Sequence, residues 1–142
     1  MKSPKKFSLV DEMGEEFTFP SHRACLIAFV KEDCETCNLT LPILEVIHKT
    51  VETKLDVLAI SQKREDIEIL RNRHNLTFKI LDDDSLAISY QAELDTVPSV
   101  FLYDENSQCK IQLFGFVRDE WELLLTESLA LADKTDAIVP ID

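Results

Sequence analysis

Leu26-Ile27-Ala28-Phe29-Val30-Lys31-Glu32-Asp33-Cys34-Glu35-Thr36-Cys37, continued by Asn38-Leu39-Thr40-Leu41-Pro42-Ile43-Leu44, is the stretch on which the reading of this chain turns. A continuous apolar run of strand length delivers two cysteines at C-x-x-C spacing onto the first turn of a helix. Two thiols so spaced can close a short ring as a disulfide. A helix N-terminus, with unpaired N–H groups and the positive end of its dipole, stabilises the thiolate through which exchange proceeds. Cys34 and Cys37 are therefore the candidate catalytic residues.

Outward from that stretch the apolar periodicity defines the remaining elements. Phe7 to Val10 and Glu16 to Phe19 alternate as short strands around Asp11-Glu12-Met13-Gly14-Glu15, where Gly14 can supply a positive φ. This predicts an N-terminal hairpin ended by Pro20-Ser21-His22. The run from Cys25 to Val30 is apolar throughout, as expected of a strand covered on both faces. From Glu35 to about Thr53 the positions Leu39, Ile43, Leu44, Val46, Ile47 and Val51 recur at helical spacing, with Pro42 predicting a kink.

Leu55 to Ile60 is a second buried strand, and a helix follows over about Lys63 to His74, with Ile67, Leu70 and Leu76 inward. Phe78 to Leu81 is extended, Asp82-Asp83-Asp84 is a turn, and Ser85 is the expected N-cap of a short helix over Leu86 to Tyr90. Val97 to Tyr103, with Pro98 at its start, turns through Asp104 to Ser107 into Cys109 to Phe114. A helix over Asp119 to Leu131 closes the order. The prediction is an α/β fold with a mixed sheet, helices on both faces and an N-terminal β-hairpin. It places residues 1–142 in one domain, with 1–22 as a hairpin extension and 133–142 as a flexible tail.

The totals exclude several functions. With 27 acidic against 15 basic residues the net charge is −12, the wrong sign for a nucleic-acid surface or an anionic membrane, so neither partner is expected. Four cysteines, at 25, 34, 37 and 109, are too few and too unevenly spaced for a secreted disulfide framework. A closed zinc site wants four ligands, and there is no second C-x-x-C or paired-histidine spacing, so neither metal nor cofactor is expected. Lys2, Lys5 and Lys6 have the charge of a signal n-region, but Asp11-Glu12 cuts off the apolar segment that should follow. The expectation as written is cytoplasmic, or extracytoplasmic if an export signal has been trimmed away.

These landmarks, in order, resemble the thioredoxin-like superfamily, and within it the TlpA-like branch of thiol-disulfide oxidoreductases, over nearly the whole length. That branch's opening F-x-L-x-D-x-x-G is similar to Phe7 through Gly14, its strand and C-x-x-C to Phe29 through Cys37, and its x-P-x-L to Leu41 through Leu44. Thr96-Val97-Pro98-Ser99 resembles its cis-proline loop, and Phe101 to Asp104 with Gly115 its late hairpin. The resemblance implies an enzyme that exchanges disulfides with protein substrates and a redox partner. Cys34 would be the nucleophile, Cys37 the resolving thiol, and Val97, Pro98, Glu35 and Thr36 would meet substrate.

Where relatives carry Trp before the first cysteine, this chain has Asp33, and Ala28 and Thr40 hold the two positions at which relatives place a buried acid. Glu32, Asp33 and Glu35 oppose a nearby anion, which predicts a more reducing couple than that of strongly oxidising relatives. The same features support an alternative, a redox-inactive thioredoxin-like binding or adaptor module. A peroxiredoxin-like peroxidase is less favoured, because Lys31 and Glu32 precede Cys34 where that chemistry needs a hydroxyl residue.

Overall fold

β3 (Cys25–Val30) is buried at every position because it lies near the centre of a seven-stranded sheet with side chains packed on both of its faces. The structure, a computed structural model, describes residues 3–94 and 96–134. Besides β3 the elements are β1 (Phe7–Asp11), β2 (Glu16–Phe19), α1 (Glu35–Val51), β4 (Asp56–Ser61), α2 (Arg64–His74), β5 (Lys79–Asp82), α3 (Ala87–Gln91), β6 (Ser99–Tyr103), β7 (Cys109–Phe114) and α4 (Arg118–Leu131). The sheet order is β2-β1-β5-β4-β3-β6-β7, with β3–β4 and β4–β5 parallel and the other pairs antiparallel. The mixed sheet and the N-terminal hairpin are as expected, and Gly14 turns that hairpin at φ 82°. Of the expected tail, residues 135–142 lie outside the described residues.

Alternation along β3 assigns side chains to layers. Leu26, Ala28 and Val30 join a core with Leu41, Leu44 and Ile47 of α1, Ile67 and Leu70 of α2, and Trp121 and Leu124 of α4. Cys25, Ile27 and Phe29 face the opposite core, closed by Phe7 and Phe19 of the hairpin, Phe101 and Tyr103 of β6, and Ile88 of α3. This double coverage makes the central strands uniformly apolar.

One local expectation is corrected and another is extended. Leu39 and Val46, placed on the apolar stripe of α1, are 46% and 39% exposed. The buried face instead includes Thr40 and Glu45, and the Glu45 carboxylate accepts from the Thr77 backbone N–H at 2.8 Å and the Thr77 hydroxyl at 2.6 Å. A satisfied carboxylate can sit where periodicity expects an aliphatic residue. The start of α3 is held by Asp83 as well as by the expected Ser85, whose hydroxyl accepts from the Ala87 N–H at 3.4 Å. Buried Asp83 accepts from the backbone N–H groups of Ile88 at 3.2 Å and Ser89 at 3.0 Å, while Leu86 takes a positive φ before the helix. A second cis X-Pro bond, Phe19–Pro20, follows the hairpin without having been anticipated.

The hairpin turn carries a pH dependence. Asp11 Oδ1 accepts from the backbone N–H groups of Met13 and Glu15, both at 2.9 Å, and Lys79 Nζ lies 3.5 Å from Asp11 Oδ2. Burial opposes ionisation of Asp11, but the backbone donors and Lys79 outweigh it and hold its pKa below the ordinary 3.8. A carboxylate depressed on folding contributes stability above its unfolded pKa and loses that contribution as pH falls through the folded value. Urea midpoints are thus expected to drop on acidification below about pH 4, and Asp11→Asn to flatten part of that drop. Unfolding curves of both proteins at pH 3 and pH 7 check this.

Candidate active site

β3 ends at Val30, and the chain reaches α1 through Lys31 to Cys34, which serves as the N-cap in an extended conformation. The Cys34 Sγ accepts the backbone N–H of Cys37 at 3.1 Å, so a sulfur sits where a Ser or Asp oxygen usually caps a helix. That N–H is aimed where a thiolate would carry its charge. Asn38 N–H donates to the Cys34 carbonyl at 3.0 Å and fixes the backbone of the cap.

The two thiols differ sharply in surroundings. Cys34 is half-buried, whereas Cys37, in the first turn, is fully buried. Burial, and secondly the adjoining Cys34 thiol, push Cys37 up to about 12, so it holds its proton at neutral pH. Thr40 is also fully buried, and its hydroxyl donates to the Cys37 carbonyl at 3.1 Å. Ala28 and Thr40 thus place a methyl and a backbone-bonded hydroxyl beneath the dithiol. Between the thiols, Glu35 is exposed and Thr36 is half-buried.

The opposite wall comes from the segment before β6. Val97–Pro98 is a cis peptide, as the motif implied, with Val97 half-buried and Pro98 buried. Cys34 Sγ lies 3.7 Å from the Val97 carbonyl oxygen, across 63 residues of sequence. The Pro98 carbonyl accepts from Gly115 N–H at 2.9 Å, and the Gly115 carbonyl accepts from the Trp121 indole N–H at 3.0 Å. Gly115 takes φ 79°, a conformation that favours glycine. A relay from α4 through Gly115 therefore positions Pro98, a connection that no local pattern in the sequence discloses.

The acids around the site are not equivalent. Asp33 and Glu35 are exposed, whereas Glu32, the third acid expected to oppose an anion at Cys34, is ion-paired with Arg73 of α2. Glu32 and Asp33 also line a cleft of about 170 Å³ with Lys31, Gln62, Lys63 and Asp66. The Asp66 carboxyl there is raised above its ordinary 3.8, first by burial and then by Glu32, Glu65 and Asp33 against the opposing pull of Lys63. Among the described residues no three His, Cys, Asp or Glu side chains are grouped to hold a metal ion.

No family model matches this chain, and no curated protein matches it in sequence. Its fold does match solved structures. One, assigned as the thiol:disulfide interchange protein DsbE of Chlorobium tepidum, superposes with a TM-score of 0.81 over 92% of this chain and 96% of its own, at 19% identity. A secreted Mycobacterium tuberculosis disulfide oxidoreductase homologous to Escherichia coli DsbE gives 0.74 over 85% and 95%, at 16% identity. The thioredoxin domain of a Bacteroides vulgatus thiol-disulfide oxidoreductase gives 0.73 over 88% and 94%, at 13% identity. The chain has a thioredoxin-like fold.

The thioredoxin-like sheet also settles how Cys25 and Cys109 relate. Cys25 of β3 pairs with Tyr103 of β6, and Tyr103 with Cys109 of β7, so the two cysteines sit two strands apart. At two inter-strand spacings their backbones are about 9–10 Å apart, beyond the roughly 7 Å that a disulfide can span. Cys25 is fully buried and pushed up to about 12, first by burial and then by Asp56 and Cys109. It packs as a small apolar side chain at the end of β3 away from Cys34. His48, half-buried near the far end of α1, packs edge-on against Phe78 at 6.1 Å, away from the dithiol.

Proposed function

We propose that this chain is a thiol-disulfide oxidoreductase acting on protein disulfides or dithiols through Cys34 and Cys37 alone. The observation that supports this reading most is the pairing of an N-capping Cys34 sulfur, 3.1 Å from the Cys37 N–H and 3.7 Å from the Val97 carbonyl, with a fully buried Cys37 one turn deeper. In the reducing direction the Cys34 thiolate attacks one sulfur of the substrate disulfide. That S–S bond breaks, its second sulfur leaves as a thiolate and takes a proton, and a Cys34–substrate disulfide remains. Cys37 then attacks Cys34 Sγ, the Cys34–substrate S–S bond breaks, and the Cys37 proton ends, through solvent, on the departing substrate sulfur, which is released as a thiol. The net change is a Cys34–Cys37 disulfide and a substrate dithiol, two electrons having passed to the substrate.

The oxidising direction is the reverse of these steps. In either direction the half-buried Val97 offers backbone to an extended substrate segment, Pro98 closes the wall without an N–H, and Glu35 and Thr36 meet the substrate on the helix side. The similar M. tuberculosis protein is secreted, which supports an extracytoplasmic setting over the cytoplasmic one. No described helix is long and apolar enough to cross a membrane.

Redox titration of the dithiol tests the reading. Equilibration with glutathione buffers, followed by mass analysis, is expected to show one two-electron couple confined to Cys34 and Cys37, with a potential clearly below the roughly −120 mV of the strongest oxidants of this chemistry. Failure of the purified protein to form that disulfide, or to exchange it with a peptide disulfide, would rule the function out.

A further inference from the structure

The last turn of α2, which packs on the same face of the sheet as α1, meets the loop that carries Cys34. Arg73 Nη1 donates to the Glu32 carbonyl at 2.9 Å and to Asn38 Oδ1 at 3.0 Å, while Nη2 engages the Glu32 carboxylate. Asn38 Nδ2 donates to the carbonyls of Glu32 at 3.2 Å and Cys34 at 3.0 Å. Because both of those partners are acceptors, the amide orientation is fixed, and Oδ1 must receive its bonds from donors. His74 Nε2 is the second such donor, at 2.7 Å, which assigns the ring proton to Nε2. Burial and then Arg73 lower the His74 pKa below its ordinary 6.5, so at neutral pH it donates as a neutral imidazole.

We propose that Arg73 is a positioning residue for Cys34: through Glu32 and Asn38 it fixes the carbonyls on either side of the active-site cap, and it neutralises the Glu32 carboxylate two residues before the nucleophile. The inference rests on the oxidoreductase reading and deepens it. Arg73 and His74 belong to no motif of the active site, and they lie 41 and 42 residues beyond Glu32. With the guanidinium removed, Glu32 loses its ion-pair partner two residues before the nucleophile, which disfavours the thiolate. Two of the bonds that hold the Glu32 carbonyl and the Asn38 amide are lost as well. Glu32 and Arg73 are both partly open to solvent, at 30% and 37% of their side-chain surfaces, so the electrostatic part is modest.

Iodoacetamide alkylation of reduced protein at pH 7, with Cys34 resolved by peptide mapping, reads the sulfur itself and needs no substrate disulfide. Arg73→Met is expected to slow Cys34 alkylation by about three- to tenfold. The glutathione equilibrium should move by a similar factor, making the couple about 15–30 mV more reducing at 29.6 mV per tenfold. Adding Glu32→Gln should restore most of the alkylation rate, and Arg73→Lys, which keeps the charge, should stay within about twofold of the parent.

A packing role alone would give no rescue by Glu32→Gln, and that result would overturn the proposal. So would an Arg73→Met protein that reacts as fast as the parent. If Arg73→Met does not fold, Glu32→Gln alone carries the test: it removes the acid and keeps the cation, so Cys34 alkylation should run about two- to fivefold faster than in the parent, and an equal rate would overturn the proposal too. A parent protein that alkylates normally at Cys34 but exchanges no disulfide would defeat the oxidoreductase reading while leaving the Arg73 result standing.

Discussion

Cys34→Ser is expected to lower disulfide exchange with a peptide substrate by at least about a thousandfold, because it removes the sulfur that both accepts a helix N–H and faces the Val97 backbone. A serine oxygen can keep the cap on α1, so the fold should survive and the loss should be one of chemistry. Cys37→Ser should behave differently. The first attack needs only Cys34, so a single turnover to the mixed disulfide should persist at a rate within about tenfold of the parent. Steady-state turnover should vanish because nothing resolves that disulfide. Stopped-flow kinetics on the parent and the two variants separates these outcomes. Residual turnover in Cys34→Ser carried by Cys25 or Cys109 is not expected, since burial raises both thiols and their backbones are too far apart to pair.

Trp121→Ala should have the largest effect on stability. Trp121 is fully buried, its ring centroid lies 5.9 Å from that of Phe116, and its indole N–H is satisfied by the Gly115 carbonyl. Truncation opens a cavity and leaves that carbonyl without its donor, at a cost of about 3–5 kcal/mol. For a domain of this length that corresponds to a fall in Tm of roughly 10–15 °C. Trp121→Phe keeps most of the packing and loses the hydrogen bond, so about 1–2 kcal/mol is expected. Both variants should also slow exchange, because Gly115 is the link between α4 and the Pro98 carbonyl. Thermal unfolding and the exchange assay together check this, and a Trp121→Ala protein as stable as the parent would refute the relay.

The fold was legible where burial alone dictates the pattern. The uninterrupted apolar runs of β3 and β4 and the alternation of the hairpin strands map directly onto the observed elements, because strands covered on both faces can carry little else. The dithiol was legible because two thiols three residues apart at a helix start have few other uses. Periodicity failed where polar groups are buried with partners. Glu45 and Thr40 occupy the inner face of α1 because Thr77 and a main-chain carbonyl satisfy them, so the hydrophobic stripe was drawn through Leu39 and Val46 instead. Asp83 joins Ser85 in capping α3 for a related reason. It lies far enough upstream that its carboxylate reaches two helix N–H groups that the serine, immediately before the positive-φ Leu86, does not bond.

The supports of the site were the least legible. Arg73, Asn38, Gly115 and Trp121 reach Cys34 or Pro98 by bonds that span helices and strands, and only the assembled sheet brings them together. The partner of Glu32 is hidden in the sequence for the same reason: only the fold brings Arg73 of α2 against it.

The division of roles between the two thiols is the centre of this account, and trapping tests it most directly. Cys37→Ser, reduced and mixed with a peptide disulfide, should accumulate a covalent adduct that peptide mapping places on Cys34 in close to stoichiometric yield, with Cys25 and Cys109 unmodified. An adduct on Cys25 or Cys109, or no adduct at all from a folded Cys37→Ser protein, would contradict it.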